Sequence, residues 1–138
     1  MHALEHLSDL LIEFYEKLSS WEQAVVRDCA ITLPQMHTLE ILGQQSTLRM
    51  KELAAKMGVT TGTLTVNVDR LEKQGLVTRM PHETDRRSIL VALTPAGEKL
   101  FREHHEHHLH LTRELQAALT PEETTQFASI LAKLTQAI

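Results

Sequence analysis

Lys51-Glu52-Leu53-Ala54-Ala55-Lys56-Met57-Gly58-Val59-Thr60-Thr61-Gly62-Thr63-Leu64-Thr65-Val66-Asn67-Val68-Asp69-Arg70-Leu71-Glu72-Lys73-Gln74-Gly75-Leu76-Val77 is the stretch that decides the fold. Leu53, Ala54 and Met57 are apolar at helical spacing, and Gly58 ends that helix because glycine takes the left-handed conformation cheaply. After a tight turn, Thr60 can cap a second helix through its hydroxyl, and that helix buries Leu64, Val68 and Leu71. Thr61, Thr63, Thr65, Asn67 and Arg70 remain on its other faces, a small, polar, neutral-to-basic surface that suits the DNA major groove. Gly75 stops the helix. Leu76–Arg79 and Ser88–Leu93 then alternate or run apolar as two strands would, with Pro81–Arg87 as a charged hairpin tip. The predicted fold is mainly α, with a winged helix-turn-helix over residues 33–94.

Such a module can bind DNA or serve only to dock another protein, and charge favours DNA. The chain has a net charge of −4, yet Arg49–Ser88 holds eight Lys or Arg against five Asp or Glu. An acidic protein that keeps its basic segment on the motif has the electrostatic footprint of a duplex binder.

Outward from this stretch, 138 residues make one domain, and no apolar run approaches membrane-spanning length. The N-terminus has no basic-then-apolar signal pattern, and a single cysteine, Cys29, excludes an internal disulfide. A reducing cytoplasm is the expected compartment, with no membrane partner. Leu4, Leu7, Leu11, Phe14, Leu18, Trp21 and Val25 keep a three-four spacing that gives a helix one continuous seam. That seam can pair two copies or pack within one subunit. Leu33-Pro34 opens a second helix with Met36, Leu39 and Leu42 inward. Thr94-Pro95 starts a helix expected to run to about Ala118, and Thr120-Pro121-Glu122-Glu123 starts a last one whose apolar face is Phe127, Ile130, Leu131, Leu134 and Ile138. Residues 1–30 and 95–138 are thus the expected dimerisation helices. A two-fold pair of winged helices would read a pseudo-palindromic operator with half-sites about one helical turn apart.

The sequence resembles the MarR family of bacterial transcription regulators over nearly its whole length. The likeness rests on Leu33-Pro34-Gln35, Glu52-Leu53-Ala54, Asp69–Val77, and Asp85-Arg86-Arg87 followed by Leu93-Thr94-Pro95-Ala96-Gly97. The resemblance implies a repressor. It also implies that Arg87 reaches the minor groove while Asp85 orients it, with Arg86 a second candidate; a guanidinium suits that narrow, electronegative groove. Arg49 departs from the family, which usually has a small hydroxyl there to cap the third helix.

The run Glu103-His104-His105-Glu106-His107-His108-Leu109-His110 is one that a generic regulator would not need. Phe101, Leu111, Leu115 and Ala118 define the apolar stripe, and His104 and His108 fall in its middle, whereas Glu106 and His110 point away. Two imidazoles one turn apart can grip one metal ion or hydrogen-bond as core histidines. A zinc site needs further ligands, and His37, Glu22 and Cys29 are the best offers. This set resembles the zinc-sensing AdcR and ZitR branch of the MarR family, which adds Glu103 to the candidates and implies that zinc promotes DNA binding. Met36 departs from that branch, which has a glutamate there.

Other readings stay open: an aromatic-acid pocket as elsewhere in the family, or oxidation of Cys29 across a dimer. A metal-dependent hydrolase using His104 and His108 with Glu103 or Glu106 lacks the His-Glu-x-x-His spacing and any Gly-rich loop. The chain is therefore expected not to be an enzyme.

Overall fold

The computed structural model describes residues 2–85 and 87–138. Along the chain run α1 (His2–Arg27), α2 (Leu33–Gln45), β1 (Leu48–Arg49), α3 (Met50–Met57), α4 (Thr61–Lys73), β2 (Val77–Pro81), β3 (Ile89–Leu93), α5 (Pro95–Ala117) and α6 (Pro121–Ala137). Six helices and a three-stranded antiparallel sheet among the described residues make it a mainly α winged helix-turn-helix. No helix among the described residues is long and apolar enough to cross a membrane.

Local chemistry sets the element ends. Thr32 caps α2 by accepting the backbone N–H of Gln35, whose side chain accepts the Thr32 N–H in return. Gly58 closes α3 at φ 68° in the left-handed region, with its N–H donating back to Ala54 and Ala55. Thr60 caps α4 by accepting the N–H of Thr63 at 3.2 Å. At Arg49 no side-chain oxygen caps α3; instead the Arg49 backbone N–H donates to Glu52 Oε1 at 3.2 Å.

The wing has one strand more than the hairpin expected from sequence. β3 lies between β2 and β1 in the order β1-β3-β2, with Val77 opposite Leu93, Arg79 opposite Val91, and Leu48 also opposite Val91. The two-residue strand β1 carries no alternation that a sequence pattern could detect, and it exists only because β3 offers a free edge to it.

One core unites α2, α3, α4 and the sheet. Met36, Leu39, Leu42, Leu53, Leu64, Val68, Leu71, Val77 and Val91 are all buried. At about 1.5–3 kcal/mol for each fully buried aliphatic side chain, this cluster is what holds α4 against the rest. Arg79 on β2 ties the sheet to α4 through Asp69, with Glu72 Oε2 3.9 Å from its Nε.

The start of α5 is fixed to the same body. Thr94 donates its N–H to Leu76 O, and Gly97 packs so close to that carbonyl that a Cβ there would lie 1.9 Å from the oxygen. Only glycine fits at this position, so the exit from the wing runs into α5 without slack.

The chain divides into two compact units, residues 1–104 and 105–138. In the second unit, Thr120 and Glu123 form the reciprocal cap predicted for α6. None of the α6 residues is buried, and Phe127, Ile130, Leu131 and Leu134 are exposed.

Candidate nucleic-acid interface and buried histidine

The recognition helix α4 presents Thr61, Thr63, Thr65 and Arg70 exposed, as its periodicity predicted. Thr65 donates its hydroxyl to Thr61 O at 2.7 Å, and Thr60 donates to Thr63 Oγ1 at 3.0 Å while accepting at its cap. These hydroxyls are committed within the helix in the absence of a partner, but each keeps acceptor capacity for a base edge or phosphate.

Asn67 is different. Its Nδ2 donates to Pro34 O at 3.2 Å and to Thr38 Oγ1 at 2.9 Å, so its amide faces α2 and not the groove side of α4. The structure gives Asn67, expected from the sequence to contact DNA, a supporting contact with α2 through its Nδ2. A polar residue off the apolar stripe can satisfy a neighbouring helix as readily as solvent.

In the wing, Asp85 organises the turn. Its Oδ1 accepts the backbone N–H of Arg87 at 3.1 Å and its Oδ2 accepts the Ser88 hydroxyl at 3.1 Å. The Arg87 backbone bond first and the Ser88 hydroxyl second hold the Asp85 carboxyl below the usual 3.8. The aspartate thus sets the direction of Arg87 through its main chain, and the Arg87 side chain is exposed. Arg86, the second wing candidate, lies outside the described residues. His82 completes the turn by accepting the N–H groups of Thr84 and Asp85 at its Nδ1, both at 3.2 Å.

A second constellation lies around the start of the histidine run. His104 is only 2% exposed, and its Nε2 has Glu22 Oε1 of α1 at 3.4 Å and Glu40 Oε1 of α2 at 3.8 Å. A buried imidazole facing two carboxylates is a costly arrangement for an ordinary core and a familiar one for an ion site. On α5, His108 follows one turn later and is half-buried, whereas Glu106 and His110 are exposed, in agreement with the helical phase. His110 pairs with Glu114 at 3.0 Å on the outer side.

Glu40 was not anticipated. The signal was present, since residue 40 falls one turn after Met36 on the inward face of α2, where a carboxylate has no place without a partner. His37, offered as a further ligand, is exposed on α2, as is Glu103, added by the resemblance, on α5. The inward stripe of α2 runs through Met36, Leu39 and Glu40, which turns His37 outward. Cys29 is half-buried, with its thiol donating to Val25 O at 3.9 Å. Glu22 and His104 are therefore the predicted ligands that α1 and α5 bring together, with Glu40 added from α2.

A capped, groove-sized helix beside a hairpin whose tip carries exposed arginine defines a winged helix-turn-helix DNA-binding protein. A sequence profile of the MarR family matches residues 31–89. An uncharacterized HTH-type transcriptional regulator of Bacillus subtilis, YfiV, is 40% identical over 109 residues, which cover 78% of this chain and 68% of the relative. The structure of a MarR family protein from Bacillus stearothermophilus superposes with a TM-score of 0.88 at 28% identity, covering 99% of this chain and 95% of that one. A Staphylococcus aureus MepR–DNA complex superposes with a TM-score of 0.77 at 25% identity, covering 95% and 96%. The chain belongs to the MarR family of transcription regulators, and the relatives it matches are regulators, not enzymes.

Proposed function

We propose that the chain is a cytoplasmic homodimeric repressor whose hold on a pseudo-palindromic operator is set by a ligand, and that zinc is that ligand. The observation that carries the DNA reading is the pairing of an exposed threonine face on α4 with the exposed Arg87 of the wing, both fixed to one core. Dimerisation is supported by α1, where Leu4, Leu7, Leu11 and Phe14 stand exposed on the predicted seam. Apolar side chains repeated at this spacing are stable in water only when something covers them. The exposed apolar stripe of α6 supports the same reading.

The metal reading is supported by the donor set at His104. Glu22 and His104 can each offer one donor atom to an ion, and a Glu40 oxygen lies 3.8 Å from the same imidazole nitrogen. Imidazole nitrogens and carboxylate oxygens suit zinc, and His108, one turn further along the sequence of α5, is a donor of the same kind. When bound, zinc would supply the positive charge that a buried imidazole and two carboxylates call for. The protein's own part is positional: Gly97 and Thr94 fix the start of α5 to the wing exit, so an arrangement imposed at His104 is felt at the reading head. Such a ligand shifts operator affinity only by its preference for the DNA-competent arrangement.

The test is metal analysis of protein purified without a nickel column, followed by duplex titrations with and without zinc. Stoichiometric zinc and tighter binding with it are expected, and both should fall in a Glu40→Ala, His104→Ala variant. Metal-free protein whose titration ignores added zinc refutes the sensor and leaves the regulator standing.

A further inference from the structure

Between the start of α3, the start of α4 and the wing where its tip enters β3 lies a cleft of about 310 Å³, lined by Arg49, Lys51, Thr61 and Arg87 among others. Three cations and a hydroxyl from β1, α3, α4 and the wing turn converge there, and only Thr61 and Arg87 belong to the DNA-contacting set anticipated above. The nearby carboxylates offset only part of this charge. Glu52 pairs with Arg49 at 3.9 Å and accepts its backbone N–H, and Asp85 lies close enough to feel the charge of Arg49 while its oxygens hold Arg87 N–H and Ser88. Neither Lys51 nor Arg87 has a carboxylate within ion-pair distance among the described residues.

His82 fixes where the Arg49 head sits. Its Nδ1 is in contact with the backbone N–H groups of Thr84 and Asp85, and its Nε2 is hydrogen-bonded to Arg49 Nη2 at 3.1 Å. The wing thus holds the guanidinium at the cleft by one contact, and a group with five donors can bond an anion besides.

We infer that this cleft seats a backbone phosphate of duplex DNA, with Arg49 and Lys51 as sequence-independent contacts beside the base-reading face of α4. The inference rests on the DNA-binding reading and deepens it. Arg49 stands at the N-cap of α3 without a side-chain cap bond, and it lines the cleft instead. One protomer spans the seat from recognition helix to wing, so both readers would be registered on the same stretch of backbone.

The experiment compares wild type with Arg49→Gln and Lys51→Gln on two duplexes, one selected by the wild-type protein from a random pool and one unrelated duplex of equal length. Binding is measured across a salt series, and thermal melting confirms that the exposed substitutions leave the fold intact. A dimer carries the seat twice, so each substitution should flatten the log affinity against log salt slope by about two. Affinity should fall about tenfold or more on both duplexes, with their ratio unchanged. An unchanged slope, or a loss confined to the selected duplex, overturns the seat while the regulator reading stands. A wild-type protein that binds neither duplex overturns both.

Discussion

The winged helix and the first helix belong to the same chain but satisfy their apolar residues in opposite ways. From α2 to β3 the stripes of neighbouring elements meet, and Leu53, Leu64, Val68, Leu71 and Val91 have no measurable exposure. On α1, Leu7 and Leu11 are more than half exposed although their spacing is as regular. The lesson is that periodicity reports that a face will be covered, and not by what. The core of the reading head closes within one copy, whereas the seam of α1 is left uncovered by its own chain among the described residues.

The contrast breaks first at the core. Leu64→Ala removes a fully buried side chain from α4 and should cost about 2–5 kcal/mol in urea denaturation, with loss of duplex binding. A cost near zero would mean that α4 is not held by this core. On the other side, Leu11→Glu should leave the helical circular dichroism of the protomer largely intact and dissociate the dimer in sedimentation. Its effect should be roughly 3 kcal/mol of association energy, from two copies of one apolar contact. A dimer of unchanged strength would place the subunit contact elsewhere.

Smaller effects sharpen the boundary between the reading surface and its support. Asn67→Ala should lower stability by about 1 kcal/mol through lost bonds to Pro34 and Thr38, and weaken both selected and unrelated duplexes alike. A selective loss on one base pair would return Asn67 to the groove. The smallest effect is a titration in the wing. Because the folded carboxyl of Asp85 lies below its ordinary value, its contribution to wing order is full above that value and is lost only as pH falls through the lowered one. The amide resonance of Arg87 should follow this with a midpoint below 3.8. A midpoint at or above that value would remove Asp85 from its place as organiser of the turn.

Much of this was legible in the residues because it depends on neighbours along the chain. Gly58, Thr60 and the Thr120–Glu123 pair act over one turn, and the sequence states their partners directly. The phase of His104 against Glu106 and His110 was legible for the same reason. What escaped depends on elements far apart. β1 pairs with a strand about forty residues on, and Asn67 reaches back to α2. Glu40 needed α1 and α5 in place before its carboxylate had anything to face. His37 is the converse case, since the spacing that offered it as a ligand says nothing of the phase of α2, on which it is exposed.

The most direct measurement is selection of duplexes from a random-sequence pool by the purified protein at low ionic strength, with the stoichiometry of the selected complex determined alongside. Two protomers on one inverted repeat, with half-sites about one helical turn apart, are expected. Failure to enrich any sequence, or enrichment of a lone half-site bound by a single protomer, would contradict the account.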